Sequence, residues 1–349
     1  MVSRQGTVFA LEGVSRDAIP RILWTHELAQ YHGAFGTPAI GREHIYIGDK
    51  GDLEGLDGQL LALLKDREPT SGTIEGPGLL QDGEWSHAIE GGIVGAPVLT
   101  DDESLVLVAS DNGDVYALST TGSSRDRLVW SFSANGQVWS TPVISDNMVY
   151  VGSLDRNLYA ISLDRELGSG DSRLIWKYET DGAVMGSPIV LDGPSGKMVV
   201  AGSVDRNVYA LGASDGELIW SFAGDDWIWA DPVADEEHIY VATMSGTVYA
   251  LDRDGNRVWE ATLEDGPPVV ARPVVHGEDL VIATDEGKLF RLDTGNGQRI
   301  GGFHDLSGRV KASPSILGGN VFVGVEDNSV RGIDLEDWRE AWNFSTKDR

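Results

Sequence analysis

The chain has 349 residues and no cysteine, which excludes disulfides, thiolate metal sites and a cysteine nucleophile. Its 55 acidic residues against 27 basic ones give a formal net charge of -28, which argues against nucleic acid, whose phosphates are bound through Lys and Arg, and against an anionic membrane surface. No apolar run approaches the roughly 18 residues of a membrane span, and the opening residues Met1 to Gly6 carry no signal-peptide apolar region.

Taken in chain order, one short unit is written eight times. A predicted strand carrying Ala-Leu or a near equivalent recurs at Ala10-Leu11, Ala62-Leu63, Ala117-Leu118, Ala160-Ile161, Ala210-Leu211, Ala250-Leu251, Arg291-Leu292 and Gly332-Ile333. A closing aromatic follows each copy: Trp24, Trp85, Trp130, Trp176, Trp220, Trp259, Phe303 and Trp342. Seven copies are preceded by a proline among small residues, at Pro38, Pro97, Pro142, Pro188, Pro232, Pro273 and Pro314. The prolines are separated by 59, 45, 46, 44, 41 and 41 residues, the period of a four-stranded propeller blade.

The internal pattern fixes the strands of a unit. Val149 to Ile161 and Val199 to Leu211 each read as a strand, a polar turn at Asp155-Arg156 or Asp205-Arg206, and a returning strand, which is a hairpin. The proline strand precedes the hairpin and the Trp strand follows it, giving four antiparallel strands per unit. A proline lacks the ladder N–H, so it belongs at the start of the inner edge strand. The repeated indole is expected to pack between neighbouring blades, contributing on the order of 2 kcal/mol or more at each interface.

The start of the chain is irregular. Residues 1–10 align with 242–250, so the sequence opens at the end of a second strand and residues 1–30 supply only the outer half of a unit. The expectation is an all-β, eight-bladed propeller in a single domain over residues 1–349, with seven full blades in 31–349 and an N-terminal half blade. A half blade of this kind implies a longer polypeptide or a defective blade. The first full unit is lengthened by loops between residues 48 and 83, and loops of that length are uncommon without a function or disorder.

Segments such as Tyr209-Ala-Leu-Gly-Ala-Ser-Asp-Gly-Glu-Leu-Ile-Trp220 and Tyr249-Ala-Leu-Asp-Arg-Asp-Gly-Asn-Arg-Val-Trp259 resemble the pyrroloquinoline-quinone-type (PQQ-like) propeller repeat. The resemblance covers essentially the whole chain. It implies an eight-bladed fold and two classes of function. One is a non-enzymatic scaffold, as in the outer-membrane-assembly lipoproteins, and the other is a quinoprotein alcohol or sugar dehydrogenase. The dehydrogenases hold PQQ with an adjacent-cysteine disulfide and calcium bound by Glu, Asn and Asp, and the cysteine clamp is impossible here.

The repeat explains seven of the eleven tryptophans and leaves Trp139, Trp227, Trp229 and Trp338. Trp139 and Trp229 stand three residues before the first-strand proline, where other units carry Phe35, Val94, Met185, Val270 and Lys311. Trp227 points the same way as Trp229 in an extended strand. One position before the proline come Thr37, Ala96, Thr141, Ser187, Asp231, Arg272 and Ser313, and Asp231 and Arg272 of adjacent blades are placed to pair. Phe35, Trp139, Met185, Trp227, Trp229, Asp231, Arg272 and Lys311 are therefore the candidate ligand-binding residues at a channel mouth; the alternative is that these rings merely fill the channel.

Asp111, Asp155, Asp205, Asp285 and Asp327 fall in hairpin turns, where Asp serves local hydrogen bonding. Asp49, Asp52, Glu54 and Asp57 are the weak candidates for calcium. The seven histidines show no metal spacing, and no nucleophile elbow, phosphate loop or dinucleotide fingerprint occurs. The favoured reading is a monomeric, non-enzymatic binding propeller with a protein or small-molecule partner and no resident cofactor. PQQ and calcium enter only under the dehydrogenase alternative. The resemblance favours an extracytoplasmic, periplasmic or secreted, location. With seven lysines against twenty arginines, the acidic composition also fits adaptation to salt.

Overall fold

A computed structural model describes residues 7–11, 21–28, 36–51, 57–67, 80–122, 127–193 and 196–346. Phe35, Asp52 and Glu54 lie outside these residues. The first sheet has two strands, β1 (Thr7–Leu11) and β2 (Ile22–Glu27). Blade 1 comprises β3 (Ala39–Ile40), β4 (His44–Gly48), β5 (Gly58–Leu64) and β6 (Trp85–Ile89). Blade 2 comprises β7 (Val98–Leu99), β8 (Leu105–Ala109), β9 (Asp114–Ser119) and β10 (Leu128–Ser133). Blade 3 comprises β11 (Val143–Ser145), β12 (Met148–Gly152), β13 (Asn157–Ser162) and β14 (Leu174–Glu179).

Blade 4 follows with β15 (Ile189–Gly193), β16 (Gly196–Gly202), β17 (Asn207–Gly212) and β18 (Leu218–Ala223). Blade 5 has β19 (Val233–Ala234), β20 (Ile239–Ala242), β21 (Thr247–Leu251) and β22 (Arg257–Thr262). Blade 6 has β23 (Val274–His276), β24 (Asp279–Ala283), β25 (Lys288–Asp293) and β26 (His304–Asp305). Blade 7 has β27 (Ser315–Leu317), β28 (Asn320–Val325), β29 (Ser329–Asp334) and β30 (Arg339–Ser345). Each sheet keeps its strands in sequence order.

The count corrects the eight-bladed expectation to seven blades. Residues β1 and β2 hold the third and fourth strand positions of the repeat, and among the described residues no inner strand joins them in their sheet. Contacts group the described residues into two compact units, one up to Lys177 and one from Tyr178.

Each repeat mark has a physical cause. All seven prolines sit immediately before the first strand, where no ladder N–H is required. The small residues before them allow inner strands to approach closely: a Cβ on Gly95 would meet Ser140 O at 2.8 Å, and one on Gly186 would meet Trp229 O at 2.7 Å. In the hairpin of blade 3, Asp155 accepts the Asn157 N–H at 2.9 Å and the Tyr159 hydroxyl at 2.5 Å, and it also accepts the Asn135 N–H of the preceding connection at 3.0 Å. Asp205 repeats the set with Asn207, Tyr209 and Asp181. These aspartates serve as turn caps.

The fourth strand is bulged beside its tryptophan. Ala210 pairs with Trp220 and Leu211 with Leu218, so Ile219 is skipped. The same slip leaves out Leu23, Val129, Val258 and Ala341. A bulge residue turns away from the ladder, and Leu23, Val129, Ile219 and Val258 accordingly lie exposed beside their inward-facing indoles.

Neighbouring blades are sealed in two alternative ways. Trp24, Trp220 and Trp259 donate the indole N–H to a carbonyl after the third strand of the next blade: Lys65 at 3.0 Å, Arg253 at 2.9 Å and Thr294 at 2.8 Å. Trp85 and Trp130 have buried indole nitrogens without such a bond. Instead the guanidiniums of Arg127 and Arg173, from the next blade, lie 4.0 and 4.2 Å from their ring centroids. Both arginines stand three residues before their own blade's tryptophan, and where that position is Asp82, Asn256 or Ile300 the carbonyl seal is used. Blade 6 has Phe303 in place of the indole, and Arg291, at the usual Ala position, donates to Leu335 O at 2.7 Å in its stead.

The two-stranded sheet docks on blade 1 through Val8, Trp24, Leu28, Ile47, Leu61 and Leu63. Beside this apolar contact, the buried His26 Nδ1 accepts an N–H from Arg67 at 2.7 Å, and Arg67 pairs with the buried Glu84 at 3.3 Å. Burial, and then the Arg67 charge, lower the His26 pKa from 6.5 to about 4, so the ring is neutral.

Candidate functional site

The inner strand starts carry side chains that differ from blade to blade, whereas the first-strand proline recurs in all seven blades. In blades 4 to 7 the position three before the proline holds Met185, Trp229, Val270 and Lys311, and the position one before it holds Ser187, Asp231, Arg272 and Ser313. Met185 and Trp229 are half-buried; Arg272 and Lys311 are exposed. In blade 3 Trp139 occupies the same register and is half-buried. Trp227 is 51% exposed.

Adjacent inner strands are tied together at the position before the proline. The Ala96 N–H donates to Thr141 Oγ1 at 3.0 Å, the Ser187 N–H to Asp231 Oδ1 at 2.6 Å, and the Arg272 N–H to Ser313 Oγ at 3.2 Å. Asp231 thus fills a structural role that Thr141 and Ser313 fill elsewhere. This corrects the expected pairing of Asp231 with Arg272: no ion pair within hydrogen-bond reach joins them among the described residues. Burial raises the Asp231 pKa, against the opposing pull of the Ser187 N–H and the more distant Arg272 charge. Lys311 pairs loosely with Glu326 at 3.5 Å.

Of the four calcium candidates, Asp49 and Asp57 lie among the described residues, and both bond to backbone N–H groups. Asp49 is buried and its Oδ1 accepts the N–H groups of Gly51 at 3.0 Å and Gln59 at 2.8 Å, while Asp57 accepts from Gly91 at 3.4 Å. Among the described residues no three His, Asp or Glu side chains converge as a metal site.

A separate concavity of about 410 Å³ lies between blades 6 and 7, lined by His276, Asp279, Arg291 and Glu336 among others. Its guanidinium is already held by Asp279 at 2.7 and 2.8 Å and by Leu335 O. The groups that line it act as an interblade seal. Sequence reasoning placed Arg291 in the Ala-Leu register without foreseeing this role, and it missed Arg127 and Arg173, although Arg127-Leu-Val-Trp130 and Arg173-Leu-Ile-Trp176 share a visible spacing.

Four-stranded sheets repeated seven times, each carrying a closing aromatic on its fourth strand or just before it, define a PQQ-like β-propeller. The chain belongs to the family described as outer membrane protein assembly factor BamB, whose model matches residues 81–179 and 165–302. Among curated relatives, BamB of Nitrosomonas eutropha is 26% identical over 142 residues, covering 40% of this chain and 34% of that protein. BamB of Legionella pneumophila is 25% identical over 190 residues, covering 53% of this chain and 47% of that protein. A segment is also 37% identical over 134 residues to the serine/threonine-protein kinase AfsK of Streptomyces coelicolor, covering 38% of this chain and 15% of that protein. The matches thus span less than half the length of these relatives. The crystal structure of BamB from Moraxella catarrhalis aligns with a TM-score of 0.67 at 17% identity, covering 89% of this chain and 85% of that one, which shows a common fold.

No helix among the described residues is long and apolar enough to cross a membrane.

Proposed function

We propose that this chain is a non-enzymatic binding propeller that recognises a protein partner through the inner strand ends and connecting loops, in an extracytoplasmic assembly role like that named for its BamB relatives. The observation that carries this reading is the contrast between a constant frame and a variable rim. Turn caps, prolines and aromatic seals recur, whereas in blades 4 to 7 the position three before the proline holds Met185, Trp229, Val270 and Lys311, and the position one before it holds side chains as unlike as Ser187, Asp231 and Arg272. Side chains that change from blade to blade on rigid strand ends are the ones suited to recognition.

The test uses the whole chain immobilised and exposed to an unfolded outer-membrane β-barrel protein freshly diluted from urea. Retention by the native chain is expected, with a loss of about tenfold in affinity for Trp229→Ala at unchanged circular dichroism, since aromatic anchors dominate such contacts. In parallel, PQQ and calcium are added with alcohols and sugars in a dye-reduction assay. Turnover there, or retention indifferent to the inner-strand substitutions, overturns the reading.

A further inference from the structure

Among the described tryptophans Trp227 alone is largely exposed, at 51%, and its indole N–H has no partner among the described residues. Its exposure does not come from a loose loop. The Trp227 N–H is capped by Asp226 Oδ1 at 2.8 Å, and its carbonyl accepts the Met244 N–H at 2.9 Å. The next residue, Ile228, is fully buried against Gly202, where a Cβ would come within 2.2 Å of Ile228 Cγ2. The ring is therefore held out into solvent from fixed backbone.

The surroundings are anionic. Asp225 and Asp226 precede the ring directly, and the Gly224 N–H bonds to Arg206 O at 2.8 Å, bringing up the turn that carries Asp205, itself bonded to the Asp181 N–H at 2.9 Å. Asp225 and Asp226 thus adjoin a turn that carries a further carboxylate, Asp205, together with Arg206. Burial works to raise the Asp225 pKa, but the hydroxyls of Thr247 and Ser245, at 2.6 and 2.7 Å, outweigh it and keep this carboxylate ionised.

We infer that Trp227, flanked by Asp225 and Asp226, is the docking point for a basic segment of a partner protein, whose arginine or lysine side chain lies over the indole face. An aromatic face attracts a cation through its quadrupole, and neighbouring carboxylates add charge complementarity without desolvating the ring. The protein's net charge of -28 attracts any polycation, so the indole is what distinguishes this site from the general field. The inference rests on the binding reading above and names the chemistry of the partner.

The probe is a fluorescein-labelled peptide with three arginines and its citrulline counterpart, followed by anisotropy with the full chain in roughly 0.5 M potassium chloride, where long-range attraction is screened. The arginine peptide is expected to bind, the citrulline peptide to bind much more weakly, and Trp227→Ala to lose about tenfold in affinity at unchanged net charge. Trp227→Phe recovers part of that loss. Asp226→Asn, which keeps the N–H cap and removes the charge, weakens binding by a few fold. Equal binding to Trp227→Ala and the native chain, equal binding of both peptides, or no binding by the native chain overturns the inference. Those outcomes leave the broader reading standing, because it is tested separately at Trp229 with an unfolded protein.

Discussion

His26 is one proton away from placing two cations in a buried seam. Its folded pKa of about 4 lies below the ordinary 6.5, so above pH 6.5 both folded and unfolded chains carry it neutral and its contribution is complete. As the pH falls from 6.5 toward about 4 the unfolded chain takes up a proton that the folded chain refuses, and about 3 kcal/mol of stability is lost across that window. Denaturant midpoints measured from pH 7 to 4 check this, and His26→Gln, which keeps an acceptor for Arg67, is expected to flatten the slope. A slope unchanged in that variant would assign the acid sensitivity to other groups. None of this was legible in sequence: His26, Arg67 and Glu84 come from three separate stretches, and only docking of the two-stranded sheet brings them together. The tryptophans were legible because one residue type recurs at a fixed distance. The arginines that seal two of them were not, because that position varies among Arg, Asp, Glu, Asn and Ile.

At the scale of strands and turns, the hairpins place one residue in the left-handed region. Blades 2, 5 and 6 use Gly113, Gly246 and Gly287 there, whereas blades 3 and 4 use Arg156 and Arg206, at φ of 73° and 79°. A side chain at such a φ costs roughly 1–2 kcal/mol, partly offset by the extra unfolded-state freedom of glycine. Arg206→Gly is therefore expected to stabilise the protein by up to about 1 kcal/mol, read from a urea midpoint; a lower midpoint would mean that the side chain itself supports the turn. Strand order, the prolines at strand starts and the turn-capping role of Asp155 and Asp205 were all readable, since each follows from local chemistry. The fourth-strand bulges were not, because a slipped register is set by how the indole must turn inward, and neither strand's sequence states it alone. At the candidate site the aromatic and basic side chains were named from their register, whereas the bond that commits Asp231 to Ser187 depends on the distance between two blades.

For the molecule as a whole, a net charge of -28 repels itself, and the compact state bears more of that repulsion than the unfolded one. Raising potassium chloride from about 0.1 to 1 M shortens the screening length from about 10 to 3 Å, so the melting temperature is expected to climb with salt. A flat or falling melting temperature would show that the carboxylates are already locally balanced. The five indole seams share a simpler logic. In these five the upstream sheet offers the same ring, and the downstream blade meets it with a guanidinium or a carbonyl. Such a joint has one universal half and one adjustable half, so a duplicated or transposed module can be spliced between others without a matching change in its new upstream neighbour.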